Sequence, residues 1–191
     1  MKTPPTASLR NHFLLAMPRL GDSYFAKSVI LLCEHNHQGA MGIIINRPMN
    51  INVREILAHL EIHTRRRSLQ NQWVLAGGPM QPEQGFILHT QNTGTWQATQ
   101  PLNTQISITT SRDLMVAIAE KKAPEPLLIA LGHAGWAPGQ LEEEIAQNDW
   151  LPIPFDAALL FETPYKDRWD LAMKTLGAKP SSYWALEAGH A

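Results

Sequence analysis

The apolar residues of this chain come in short bursts cut off by turn chemistry, and buried strands are what such bursts build. Val29-Ile30-Leu31-Leu32-Cys33 is continuously apolar and β-branched at its start, so it reads as a buried strand. Asn36 to Gly39 is turn chemistry, and the Ile-rich run Met41 to Ile45 follows it. The two runs predict a hairpin. Further strands are expected at His12–Ala16, at Trp73–Ala76 before Gly77-Gly78-Pro79, and at Phe86–His89 after Gly85. Ile106–Thr109, Leu127–Leu131 and Ala157–Phe161 complete the set.

Helical periodicity alternates with these runs. Asn52 can cap a helix with Glu55 three residues on, and Val53, Ile56, Leu57 and Leu60 share one face. A second helix starts near Thr110 or Ser111, carries Asp113 in its first turn, and has Leu114, Ala117 and Ile118 as its apolar stripe. A third starts at Pro138, turns Leu141 and Ile145 inward, and holds Glu142, Glu143 and Glu144 in its N-terminal half. In the last, Thr163 caps, Pro164 is first, and Tyr165, Trp169, Ala172, Met173 and Leu176 share a face before a stop at Gly177. Residues 61–72 read as an exposed polar loop containing Arg65-Arg66-Arg67. Interleaved strands and helices predict one mixed α/β domain over 9–191, behind a loose tail at 1–8 with two prolines.

Composition narrows the class. An apolar share of 44% argues against disorder. A net charge of -1 gives no general pull toward nucleic acid or anionic membranes. Cys33 is the single cysteine, so no intrachain disulfide can form. No stretch approaches the roughly 20 apolar residues that span a bilayer, and the early run at His12–Met17 is too short for a signal core. A cytoplasmic location without membrane attachment is expected.

Several blocks in fixed order carry a resemblance. Phe13-Leu14-Leu15-Ala16-Met17-Pro18 precedes Glu34-His35-Asn36, Gly39-Ala40-Met41-Gly42 and Asn46-Arg47-Pro48. Gly77-Gly78-Pro79, Gly85-Phe86-Ile87-Leu88-His89 and Thr109-Thr110-Ser111-Arg112-Asp113 come next. The most specific is Gly132-His133-Ala134-Gly135-Trp136 with Gly139-Gln140-Leu141-Glu142-Glu144. From about Leu9 to Gly177 the chain resembles the AlgH/YqgE family of bacterial proteins. The resemblance implies a bifurcated β-sheet folded into a pseudo-barrel with helices packed outside, and a cytosolic location. It supplies no mechanism: some members are labelled regulators of alginate synthesis genes, which names no ligand, DNA site or reaction. His133 stands where the family more often has Tyr, and His37 in a turn that is usually acidic.

The chemistry-bearing residues each have a plain structural reading beside the functional one. Cys33, His35 and His37 alternate like metal ligands on one strand face, but no second pair completes a tetrahedral set. Cys33 reads as a quiet core residue. The turn Gly132-His133-Ala134-Gly135-Trp136 between a strand and a helix is a candidate anion or polar-ligand site, or simply a tight turn plugged by Trp136. A ligand-binding set at strand ends is therefore hypothesised from Asn46, Arg47, Gly77, Gly78, His89, His133, Gly135, Trp136 and Glu142. No phosphate loop, nucleophile elbow or paired metal motif is present, and no catalytic residue, metal or cofactor is assigned.

A non-catalytic regulatory or interaction protein with an unknown protein partner or small ligand is the leading functional reading. A small-molecule-binding enzyme is the second, and convergence of His89, His133 and Glu142 would favour it. A DNA-binding regulator using Arg65-Arg66-Arg67 is the third. Direct nucleic-acid binding is not expected, because no groove-entering element accompanies that basic run.

Overall fold

In the computed structural model, which describes residues 8–21, 23–91 and 94–176, strands and helices interleave. Two neighbouring strands, β1 (His12–Ala16) and β2 (Val29–Asn36), pair antiparallel, and β2 makes the expected hairpin with β3 (Gly39–Ile44). Then follow β4 (Pro48–Asn52), α1 (Val53–His59), β5 (Trp73–Ala76), β6 (Met80–Thr90), β7 (Thr99–Pro101) and β8 (Ile106–Thr109). The rest is α2 (Arg112–Ala119), β9 (Leu127–Trp136), α3 (Gln140–Ala146), β10 (Trp150–Pro154), α4 (Ala157–Phe161) and α5 (Arg168–Thr175).

The path β10-β1-β2-β3-β9-β6-β8-β7 forms one curled sheet, and β9 is where it divides. One flank of β9 pairs with β6 over most of its length. The other flank is shared. Its far end pairs with β3, as at Gly42↔Ala134, while its middle pairs in parallel with β5 at Leu75↔Ala130 and Ala76↔Leu131. The sheet therefore forks between Leu131 and Ala134.

Side-chain alternation along the curled strands separates three apolar clusters. On one face Phe13, Leu31, Ile43, Phe86 and Ile108 pack with Leu160 of α4 and Trp169 and Met173 of α5. On the opposite face Val53 and Leu57 of α1 and Leu114 and Ile118 of α2 cover Val74, Ile87 and Ile129. Leu141 of α3 covers Ile30, Leu32, Ile44 and Trp150. The fold is mixed α/β, with a curled, mainly antiparallel sheet making a half-barrel and helices packed outside it.

Several local expectations change. Ala157–Phe161 is a helix, not a strand: Asp156 caps it through bonds from the Ala158 and Leu159 amides, and its Ala and Leu residues are strong helix formers. Gly132–Trp136 is no turn; it continues β9 to Trp136. The helix expected from Pro138 begins at Gln140, because Gly139 at φ +80° serves as its N-cap. The 61–72 segment contains a 3-10 turn over Arg67–Asn71 that buries Leu69. The last helix is preceded by a 3-10 turn at Tyr165–Asp167, and Leu176 is 42% exposed, off the buried face. Gly177 lies outside the described residues. The Asn52–Glu55 capping box is present in both directions, at 3.1 and 2.8 Å.

Candidate functional site

The fork explains most of the glycine-rich blocks. Gly77 donates to the Leu131 carbonyl and accepts from the Ile44 amide, both at 2.8 Å, so it bridges the two branches. A Cβ on Gly77 would lie 2.3 Å from the Gly132 oxygen, and one on Gly78 would lie 2.1 Å from the His133 carbonyl carbon. Gly132 has φ +74°, and a Cβ there would meet the Gly78 oxygen at 2.4 Å. Two backbones cross here at a distance that only glycine permits. The Arg47 carbonyl accepts from Ala76 beside them.

The side chains around the fork are committed to the fold. Asn46 Oδ1 accepts from the Val29 amide and its Nδ2 donates to the Lys27 carbonyl. Arg47 donates to the carbonyls of Tyr24 and Ala26 and to Ser28 Oγ, and stacks 4.9 Å over the Tyr24 ring. Both fasten the loop before β2. The Trp136 and Trp150 indoles meet edge to face, and each Nε1 donates to Glu144 Oε2 at 2.8 Å. Glu142 accepts from His35 Nε2 at 3.0 Å, and His35 Nδ1 accepts from the Leu9 amide. That pair of bonds sets the His35 tautomer and ties the start of the described chain to α3.

His89 and His133 do not converge with Glu142. β6 runs antiparallel to β9, so His89 pairs with Leu127 at the start of β9, about 26 Å along the strand from Gly135. His89 is buried in a closed chain: Nδ1 donates to the Thr90 carbonyl, while Nε2 accepts from Thr109 Oγ1, which accepts from Thr99. Desolvation lowers its pKa below the ordinary 6.5, partly opposed by the Thr90 carbonyl. His133 stands edge-on to Phe86 with its Nδ1 buried and unbonded, and desolvation lowers its pKa too.

The cysteine and arginine candidates are likewise absorbed. Cys33 is buried and its thiol is raised to about 12, first by burial and then by Glu34. A β-bulge between Leu32 and Glu34 shifts the register of β2. Cys33 thus stays in the cluster under α4 and α5, while His35 turns to Glu142 on α3. Among the described residues, no three His, Cys, Asp or Glu could hold a metal together. Arg66 donates to the Ile118 carbonyl and pairs with Glu125 at 2.6 Å, leaving Arg65 and Arg67 as the exposed members of the run.

A broad concavity lies elsewhere. A groove of about 880 Å³ runs between Pro48 and Trp73 of β4–β5, the start of β9, and the segment joining α4 to α5. Trp73 is 41% exposed; Pro126, Pro164 and Tyr165 add flat apolar surface. Arg168 lines the groove and is 2% exposed. Its Nε donates to the Thr163 carbonyl, its Nη1 to the Ile45 carbonyl, and its plane stacks 4.6 Å from the Tyr165 ring centre. No carboxylate lies within ion-pair distance of it among the described residues. Desolvation pushes it down to about 10. A smaller cleft of about 270 Å³ lies between the end of α1 and the start of α2. None of the nine residues proposed from sequence lines the groove or the cleft. The signal for the groove is Arg168 itself, one position before Trp169 and three after Tyr165, on the face that carries the apolar side chains.

The model of the AlgH-like family (DUF179) matches residues 13–181. A UPF0301 protein of Chromobacterium violaceum is 46% identical over 184 residues, covering 96% of this chain and 98% of that protein. One from Nitrosococcus oceani is 46% identical over 182 residues, covering 95% and 96%. The solution structure of the AlgH protein from Pseudomonas aeruginosa matches with a TM-score of 0.79 at 40% identity, covering 100% of this chain and 98% of that one. A crystal structure from Corynebacterium diphtheriae shares the fold, with a TM-score of 0.71 at 22% identity over 96% and 94% of the two chains. With nearly its whole length matched in sequence and in fold, the chain belongs to the AlgH-like family, the UPF0301 or AlgH/YqgE proteins.

Proposed function

We propose that this protein is a non-catalytic interaction protein of the cytosol that docks an extended segment of a partner protein in the groove beside Trp73 and Tyr165. The carrying observation is the contrast between its surfaces. The groove offers exposed aromatic and proline faces, while His35, His89 and Glu142 are all bonded inside the fold elsewhere. Aromatic and proline walls suit an extended chain, because flat rings give contact area at little entropic cost. The tying of Arg66 to α2 and Glu125 supports leaving nucleic acid out of this reading. The lone buried Cys33, and among the described residues the lack of any helix long and apolar enough to cross a membrane, are compatible with the cytosol.

The test is selection from two random heptapeptide libraries, one displayed with free N-termini and one with free C-termini, on the purified full chain. Enriched peptides are then re-measured against Trp73→Ala, which removes exposed groove surface and is compared only after its circular dichroism matches that of the wild type. A loss of at least tenfold in affinity supports the groove. Failure of both libraries to enrich a binder, or equal binding by Trp73→Ala, overturns it.

A further inference from the structure

Arg168 is a buried cation with more hydrogen-bonding capacity than the protein uses. Guanidinium carries donors on three nitrogens. Here Nε and Nη1 each meet a backbone carbonyl, and Nη2 has no acceptor among the described residues. The two carbonyls and the Tyr165 ring hold the plane in one orientation. Those contacts involve neutral groups, so among the described residues the positive charge itself has no counter-charge. Burying an ion without its opposite is costly, and such ions are normally paired. Burial draws the pKa down to about 10, which still leaves Arg168 charged at pH 7. A preorganised cation in the wall of this groove is a receptor for an anion.

The surroundings select among anions. Glu125 and Glu162 also line the groove, and Lys166 is the other cation there. Glu125 is already neutralised by Arg66. One negative charge balances Arg168, whereas a dianion such as phosphate would bring a surplus charge toward Glu162. A carboxylate fits: it carries a single charge, and its oxygen can accept from Nη2, the nitrogen without an acceptor among the described residues. A carboxylate on the side chain of an internal residue would have to bring backbone in on both sides, with polar groups to desolvate along apolar walls. A chain end brings backbone from one side only, and its last side chains face the aromatic and proline surfaces.

Resting on the groove as the docking site, we infer that Arg168 captures the free C-terminal carboxylate of a partner whose last residues are apolar. The groove is thus a reader of chain ends, with Arg168 as anchor and Trp73 and Tyr165 as walls for the side chains that precede it.

The first comparison leaves the anchor unmutated, because Arg168 also ties Ile45 to Thr163. The tightest heptapeptide from the C-terminally displayed library is synthesised as the free acid and as the C-terminal amide, and both are titrated by fluorescence anisotropy against the full chain. The acid is expected to bind at least tenfold more tightly, with the difference lost in Arg168→Met. As a second readout, the Arg168 Nε–H resonance should shift with the acid and stay in place with the amide. Equal binding of acid and amide, with both still weakened by Trp73→Ala, overturns carboxylate capture and leaves groove docking standing. Enrichment only of peptides with an internal Asp or Glu, indifferent to amidation, overturns it as well. Enrichment from neither library overturns both readings together.

Discussion

At the fork of the sheet and in the groove beside it, the chain treats its polar groups in opposite ways. Around Gly77, Gly78 and Gly132 the backbones approach until no Cβ fits, and the neighbouring Asn46, Arg47 and Glu144 are all bonded to other parts of the fold. In the groove, Trp73 is exposed and the buried charge of Arg168 has no counter-ion among the described residues. The most recognisable sequence blocks belong to the first region. They record a topological need: one edge of β9 serves both β3 and β5, and the chain leaving β5 passes against the β9 backbone where the edge changes hands. The groove is drawn from residues that look ordinary in sequence, and its chemistry comes from a charge that the fold uses only in part.

The comparison breaks most visibly at Gly132. Gly132→Ala places a side chain at φ +74° and against the Gly78 backbone, neither of which can relax cheaply. A loss of about 3 kcal/mol or more is expected, since residues forced into unfavourable backbone regions cost about 1–3 kcal/mol before any overlap is counted. Gly135→Ala is the control. Its new Cβ comes closer than van der Waals contact only to the Met80 sulfur, at 2.6 Å, near the end of a flexible and exposed side chain; the Ala40 oxygen is at an ordinary 3.9 Å. That variant should lose no more than about 1 kcal/mol. Urea unfolding of both reads the difference; equal losses would mean the crossing is not what requires glycine at 132.

Local signals were legible and distant ones were not. The β2–β3 hairpin and the α1 capping box are written in consecutive residues, and both form as read. The strand at Trp150–Pro154 escapes a reading by pattern because of its two prolines, which are tolerated because β10 pairs with β1 at the edge of the sheet. The continuation of β9 through Gly132 looks like a turn because the partner that demands the glycine, Gly78, lies far back in the chain. His89 and Gly135 both stand at apparent strand ends, but antiparallel pairing sends those ends apart. For the groove, the readable clue was a charge on an apolar helix face. Whether it finds an acid depends on residues from three other segments.

A middle-sized effect is expected at Glu144, whose carboxylate accepts from Trp136, Trp150 and Gln140, each at 2.8 Å. Glu144→Ala strands two partly buried indole N–H groups. The loss should be about 2 kcal/mol, the usual cost of leaving buried donors unsatisfied. Glu144→Gln keeps one side-chain carbonyl in place and should recover part of it. Thermal melts of the three proteins order them wild type, Gln, Ala. If Gln and Ala melt together, the bonds to the carboxylate are not what holds the two indoles to α3, and the fork is less tightly closed than its geometry indicates.

The smallest effect sharpens the comparison through pH. The Thr99–Thr109–His89–Thr90 chain runs in one direction when His89 is neutral, with Nε2 accepting. Protonation would turn Nε2 into a donor and force Thr109 to reverse. Burial accordingly holds the His89 pKa below 6.5 in the folded protein. The unfolded chain then binds more protons than the folded one in the window below 6.5. The stability from this group is complete above that pH and is lost as pH falls through the folded value. The slope from a single histidine is at most about 1.4 kcal/mol per pH unit. His133, also lowered by desolvation, adds a contribution of the same sign. Urea unfolding at pH 7.5 and 5.5 measures the loss, and above pH 5 most carboxylates stay ionised and add little. His89→Gln should be less stable than wild type at pH 7.5 and should lose less than wild type on going to 5.5. An unchanged loss in the variant would assign the acid sensitivity to His133 or to other groups, and would show that the closed chain around His89 tolerates the proton.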